Sequence, residues 1–277
     1  DRAVMNMDNG MVDEGANLNL NSQSKLNFNG GEITKDANVN LTEHATINQT
    51  GGKLTLDSSD SYAGTINLEA GSLALVGIKK SSTGVLKQTG GETRVTGTDF
   101  DLNNTADSIT GGSLIVGDVN DISKMTVSNG TIAKDADVTI VKDSTLNLNG
   151  GNLTLDSNDK LEGNLDVTLG RLTLDNASKS QFGKFTQSGG ESFIEGTGFD
   201  LNNEDDNISG GKITIGANTS NSDLTLSEGK ISGAANVRVK NNSSLNVGGG
   251  SITDGATIKV EDSSLVSMSD GEITNKS

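Results

Sequence analysis

Thr145-Leu146-Asn147-Leu148-Asn149-Gly150-Gly151-Asn152-Leu153-Thr154-Leu155 is the stretch whose pattern decides the fold. Leucines stand five and three residues before Gly151 and two and four after it, with polar residues between them. Period-2 alternation on both sides of a glycine describes strand, turn, strand, each strand burying one face. The same frame surrounds Gly170 (Leu165, Val167, Leu172, Leu174), Gly71 (Ile66, Leu68, Leu73, Leu75) and Gly10 (Met5, Met7, Val12). Many cycles add a third apolar pair eight and ten residues after the glycine: Leu18/Leu20, Val39/Leu41, Val138/Ile140, Val237/Val239 and Ile258/Val260. Three short strands per cycle, joined by Gly, Asn, Asp and Ser, make one coil of a parallel β-helix.

The frame recurs along the whole chain. Fourteen glycines mark it, from Gly10, Gly31, Gly52, Gly71, Gly91 and Gly112 through Gly130, Gly151, Gly170, Gly190, Gly211 and Gly229 to Gly250 and Gly271, at intervals of 18 to 21 residues. A longer repeat of 99 residues lies over it: Gln88-Thr89-Gly90-Gly91-Glu92 returns as Gln187-Ser188-Gly189-Gly190-Glu191, and Leu54-Thr55-Leu56-Asp57 as Leu153-Thr154-Leu155-Asp156. Five short cycles fill each long one. A fixed period near 20 residues is the signature of a solenoid, in which each coil buries few side chains but stacks them on its neighbours. The expectation is all-β: a single continuous β-solenoid over 1–277, with repeats at approximately 1–52, 53–151, 152–250 and 251–277. Its coils number about 14, right-handed as the commoner form, giving a rod of roughly 67 Å at the spacing of adjacent strands. The chain must turn sharply at the corner, often with positive φ, which suits glycine.

Composition fits that economy. The 277 residues contain no Pro, Cys or Trp, 31% apolar residues and 36 Gly, with a net charge of −16. Proline is incompatible with central strands that need every N–H for the ladder. Without cysteine there is no disulfide framework, thiol nucleophile or Cys-ligated zinc. Aromatic residues at 3% and the acidic balance argue against nucleic-acid partners. No apolar run is long enough for a membrane-spanning helix. The acidic surface is expected to discourage sideways association of exposed ladders. Basic residues are scattered, with Lys79-Lys80 the sole adjacent pair, so no polybasic patch for lipid or glycosaminoglycan is expected.

The cycle x-Leu-x-Leu-x-Gly-Gly-x-Leu-x-Leu, seen at Thr145 to Leu155, resembles the β-helical passenger regions of bacterial autotransporter adhesins. Two-partner-secreted haemagglutinin-type exoproteins are a close second. The resemblance covers the whole chain as a pattern and carries no diagnostic motif. It implies export across an outer membrane, an extracellular location at the bacterial cell surface, and adhesion to cells, surfaces or other copies. It also implies that this chain is an excerpt of a longer repeat protein.

Candidate chemistry is sparse. His44, the single histidine, lies in Thr42-Glu43-His44-Ala45 between two strands, and its counterpart one repeat on is Asp143. A paired imidazole is impossible, and a position so replaced reads as a solvated turn. Glu204-Asp205-Asp206 is the densest acidic group, but its counterpart Thr105-Ala106-Asp107 keeps one acid, which argues against the paired carboxylates of glycan-cleaving β-helices. The segments Asp101 to Asp107 and Asp200 to Asp206 offer oxygen ligands suited to calcium. They read better as turns whose Asp and Asn side chains bond the backbone, with no metal assigned. Asp107 and Asp206 stand where other coils place apolar residues, so a bulge or longer turn is expected there. Gln49, Gln88 and Gln187 occupy an inward position and are expected to bond the backbone at a corner. The Asn27/Asn48 column is expected to face outward or into a turn.

These readings assign no catalytic residue and no cofactor. The function expected is structural or adhesive: a rigid rod of a cell-surface or secreted protein, spacing or displaying a surface for an unidentified receptor on host cells or other surfaces. The alternative is a self-assembling extracellular filament or S-layer component, joined head to tail. A glycan-degrading β-helix or phage tailspike ranks below both. Ice binding ranks low as well, because Thr139 is matched by Asn40 and Arg238 and no threonine column persists.

Overall fold

The computed structural model describes residues 3–98, 100–253 and 255–274. Every regular element among them is a β-strand. The strands pair in parallel and stack in about 13 turns of a β-solenoid. The chain divides into two compact units, Asp1–Thr139 and Ile140–Ser277.

In the amino-terminal unit the coils stack their strands on three faces. The first face stacks Val4–Met7, Lys25–Phe28, Thr46–Gln49, Thr65–Leu68 and Val85–Gln88. The second stacks Met11–Val12, Glu32–Ile33, Lys53–Asp57, Ser72–Val76, Glu92–Thr96 and Gly112–Val116. The third stacks Asn17–Leu20, Asn38–Leu41 and Ser61–Tyr62. Registers are continuous, so identical frame positions form columns. Leu26, Ile47, Ile66 and Leu86 are one inward column, each fully buried. Burial of such side chains contributes about 1.5–3 kcal/mol apiece. Between them the outward asparagines form a ladder, Asn67 to Asn48 to Asn27 to Asn6, in which each Nδ2 donates to the next Oδ1 at 2.7–3.1 Å. The outward placement expected for Asn27 and Asn48 holds.

The carboxy-terminal unit repeats the plan. Gln187, Ile208, Ile231, Ile252 and Ile273 share one column. Leu172, Ser192, Ile213, Val237 and Ile258 share a second. Phe199, Leu224, Leu245 and Val266 share the third. Thr145–Asp156 and Asn164–Asp175 each run through their corner as one strand, with a register irregularity at Asn149.

The marker glycines do not stay at one corner. Ile109 precedes Gly112 on the first face, but its stacking partner Ile132 follows Gly130. Lys124–Val127, which precedes Gly130, stacks on the third-face strand Phe100–Leu102. The 18-residue glycine interval is therefore not a short coil: 23 residues separate Ile109 from Ile132. The other unit repeats the event, with 23 residues from Ile208 to Ile231 and 24 from Ile213 to Val237. Each jump moves the glycine by one face, so fourteen marks yield about 13 turns.

Two reasons for glycine emerge. At Gly31 φ is +91° and a Cβ would stand near Gly10 O of the preceding coil, so both backbone shape and crowding demand it. At Gly130 φ is not positive, although most marker glycines have the positive φ expected of them. There a Cβ would stand 2.9 Å from the Cβ atoms of both Asp107 and Leu102, so the side chain is absent because the interior is full.

Candidate functional site

The inward column on the third face runs Leu20, Leu41, Tyr62 and then Lys80. A lysine thus occupies a core position. Its Nζ lies 2.9 Å from Asp107 Oδ2, and neither side chain has any solvent exposure. The ammonium also donates to Gly84 O at 2.8 Å and Asn103 Oδ1 at 2.7 Å, so its three N–H groups meet three acceptors. Asp107 accepts from Leu86 N at 2.8 Å through Oδ1 and from Asn104 N at 2.9 Å through Oδ2.

The second unit holds the same arrangement. Lys179 Nζ is 2.7 Å from Asp206 Oδ2, 3.1 Å from Gly183 O and 2.6 Å from Asn202 Oδ1. Asp206 accepts from Phe185 N at 2.7 Å and Asn203 N at 3.0 Å. Burial holds the Lys80 ammonium below its usual range, opposed by the hydrogen bond and charge of Asp107. Burial likewise raises the Asp206 carboxyl, against its bonds from Lys179, Phe185 N and Asn203 N. In both cases desolvation outweighs pairing. Tyr62, stacked beside Lys80, is also fully enclosed, and burial and then the Asp107 charge raise its phenol well above 10.0.

One expectation needs correcting. Asp107 and Asp206 are not expelled by a bulge: each keeps its inward position, because a buried lysine supplies the countercharge. Lys80, in sequence merely half of the sole adjacent basic pair, lies in the core. Its signal was present in the 99-residue repeat, which retains Lys80/Lys179, Asn103/Asn202 and Asp107/Asp206 together while replacing Lys79 by Ser178.

The remaining candidates are dispersed. His44 is exposed in the left-handed conformation at φ +63°, matched by Asp143 at +65°, so its position is a turn position that two unlike residues fill. Glu204 and Asp205 are exposed while Asp206 is buried, so the acidic triplet forms no shared site. Asp101 accepts from Ser128 N and Oγ at 3.1 and 2.7 Å, and Asp200 does the same with Ser227. Backbone bonding by these turns agrees with the expectation. Among the described residues no group of three or more His, Cys, Asp or Glu is placed to hold a metal. Among the described residues no helix is long and apolar enough to cross a membrane.

The inward glutamines do bond backbone. Gln49 Nε2 donates to Ser72 O at 2.8 Å, Gln88 Nε2 to Ser113 O at 3.0 Å and Gln187 Nε2 to Lys212 O at 3.4 Å. Glu195 was not singled out from sequence, its counterpart being Thr96. Only 4% exposed, it accepts from the Asn218 and Thr219 amides, Asn218 Nδ2 and Thr219 Oγ1 at 2.8–3.1 Å, clasping that loop. Beside it a surface hollow of about 580 Å³ is lined by Asn218, Ser220, Asn241, Asn242, Asp262 and Ser263. On the other unit Asp118 and Asp121 exchange both backbone hydrogen bonds, holding Val119 at a hairpin tip with 86% exposure. Compared with known proteins, the chain matches no family model, no curated protein and no solved structure.

Proposed function

We propose that this chain is a structural and adhesive segment of a bacterial cell-surface or secreted repeat protein, a rigid rod that spaces or displays a contact surface. One observation carries the reading. The polar groups that recur in both repeats at core positions, Lys80/Lys179 and Asp107/Asp206, point inward and spend their hydrogen bonds on the fold itself. A catalytic constellation would turn such groups toward a substrate. Here the outer faces carry ladders of ordinary polar side chains, exemplified by Asn6, Asn27, Asn48 and Asn67. Contacts with a partner would fall on what projects beyond those ladders, such as the Val119 tip and Phe182, which is 64% exposed.

Electron microscopy of the isolated chain tests the reading together with a glycan-degradation screen. Discrete rods of roughly 62 Å, about 13 turns at the strand spacing, without glycan cleavage support it. Long unbranched fibres would favour the filament reading instead. Cleavage lost on Glu204→Gln would replace it with an enzymatic one.

A further inference from the structure

The Lys80 site brings together a primary amine, a side-chain amide and a carboxyl group inside the fold. Nζ is 2.7 Å from Asn103 Oδ1 and 2.9 Å from Asp107 Oδ2, with the lysine and aspartate side chains fully enclosed. The other unit holds the same three groups at 2.6 and 2.7 Å. We propose that Lys80 joins Asn103, and Lys179 joins Asn202, through self-catalysed amide cross-links in which Asp107 and Asp206 carry the protons.

The geometry supplies what amide exchange needs. The ammonium already donates to the oxygen of the carbonyl it must attack, and a held pair of reactants gains effective molarities on the order of 10⁵ M or more. The Gly84 and Gly183 carbonyls accept from the same nitrogens and fix their direction. Exclusion of water strengthens the polarisation of the Asn carbonyl and protects the amine from solvation. Burial also favours proton transfer from Lys80 to its partner, since it disfavours the charged ammonium.

The step balances without another reactant. The Lys80 ammonium gives one proton to Asp107, and the neutral amine attacks Asn103 Cγ. The Nζ–Cγ bond forms and the Cγ–Nδ2 bond breaks. The leaving nitrogen takes one proton from Nζ and one from Asp107, departing as ammonium and returning Asp107 to carboxylate. Nothing is oxidised or reduced.

Position in the fold gives the bond a purpose. Lys80 and Asn103 are 23 residues apart in adjoining coils, as are Lys179 and Asn202. Both pairs lie at the coils where the glycine frame jumps and the first-face strand shrinks to Ser108–Ile109 or Asn207–Ile208. A covalent tie would brace coils whose first-face ladders are only two residues long.

Intact-mass measurement of the purified full chain in denaturant decides the matter. The expected mass is below the sequence mass by two ammonia molecules, and a peptide map should contain Lys80 joined to Asn103 and Lys179 joined to Asn202. Asn103→Ala, at a partly buried position, should restore the mass of one ammonia relative to the variant's own sequence. An unaltered wild-type mass overturns the proposal, and that reading needs no variant to fold. Loss of water instead of ammonia also overturns it, by assigning the bond to the aspartates. Ammonia loss with all peptides still linear overturns it too, since a succinimide would produce that result.

Discussion

Ser192 donates its hydroxyl to Gln187 Oε1 at 2.8 Å, and both residues are sealed from solvent. One repeat earlier Thr93 and Gln88 stand in the same places, fully buried, yet Thr93 Oγ1 and Gln88 Oε1 have no partner. The added methyl group restricts χ1 and holds the hydroxyl away from the amide. Thr93→Ser should therefore form the missing bond and stabilise the chain by about 0.5–1.5 kcal/mol, whereas Ser192→Ala should cost about 1–3 kcal/mol by orphaning Gln187 Oε1. Urea unfolding of the two variants measures both, and they should move in opposite directions.

The Lys80 and Asp107 pair makes a sharper demand. Asp107→Leu leaves a buried ammonium without its countercharge, and should destabilise by about 3–5 kcal/mol. Lys80→Met combined with Asp107→Leu removes the orphaned charge as well. The double variant should be more stable than Asp107→Leu alone, read from unfolding midpoints at equal slopes.

Tyr62 predicts the alkaline limit. Its hydroxyl donates to Val85 O at 2.9 Å inside the core, and its folded-state pKa lies well above 10.0. A raised folded value means that this contribution is fully present below the unfolded pKa. It is lost as pH rises through the folded value, because only the unfolded chain releases the proton. Stability should fall above pH 10.0, and phenolate absorbance should appear only with unfolding. Tyr62→Phe should remove this alkaline loss, at a cost of about 1 kcal/mol near neutrality for the lost hydrogen bond.

Glu195 anchors its neighbouring loop. Glu195→Ala should speed hydrogen exchange at the Asn218 and Thr219 amides about tenfold or more, equivalent to ~1.5 kcal/mol for a bond to a charged acceptor. Exchange at Gly117, whose amide bonds Val95 O and not a carboxylate, should stay unchanged.

Much of this was legible in advance because its causes are local. Leu146, Leu148, Leu153 and Leu155 alternate around Gly151, and alternation dictates which side chains enter the core. Gln88 and Gln187 could be placed inward by counting from their glycines, and His44 could be dismissed from its replacement by Asp143. Lys80 could not. It lies outside the strands flanking a glycine, and its inward direction follows from stacking on Tyr62, a contact across a whole coil. Glu195 was hidden for a related reason: its partners Asn218 and Thr219 are 23 and 24 residues away and have no match in the other repeat.

The amino-acid sequence by itself determined a parallel β-solenoid, its glycine-marked corners and its inward and outward columns. Those follow from period 2, from backbone sterics and from the need of each coil to bury its apolar face on another. Only the tertiary structure decided which face each strand stacks on. A glycine can turn the chain at any corner, so its spacing alone made the coil between Ile109 and Ile132 look short when it is long. Stacking also turned Lys80 and Asp107 toward each other, because a buried charge persists only where a column from another coil brings its partner.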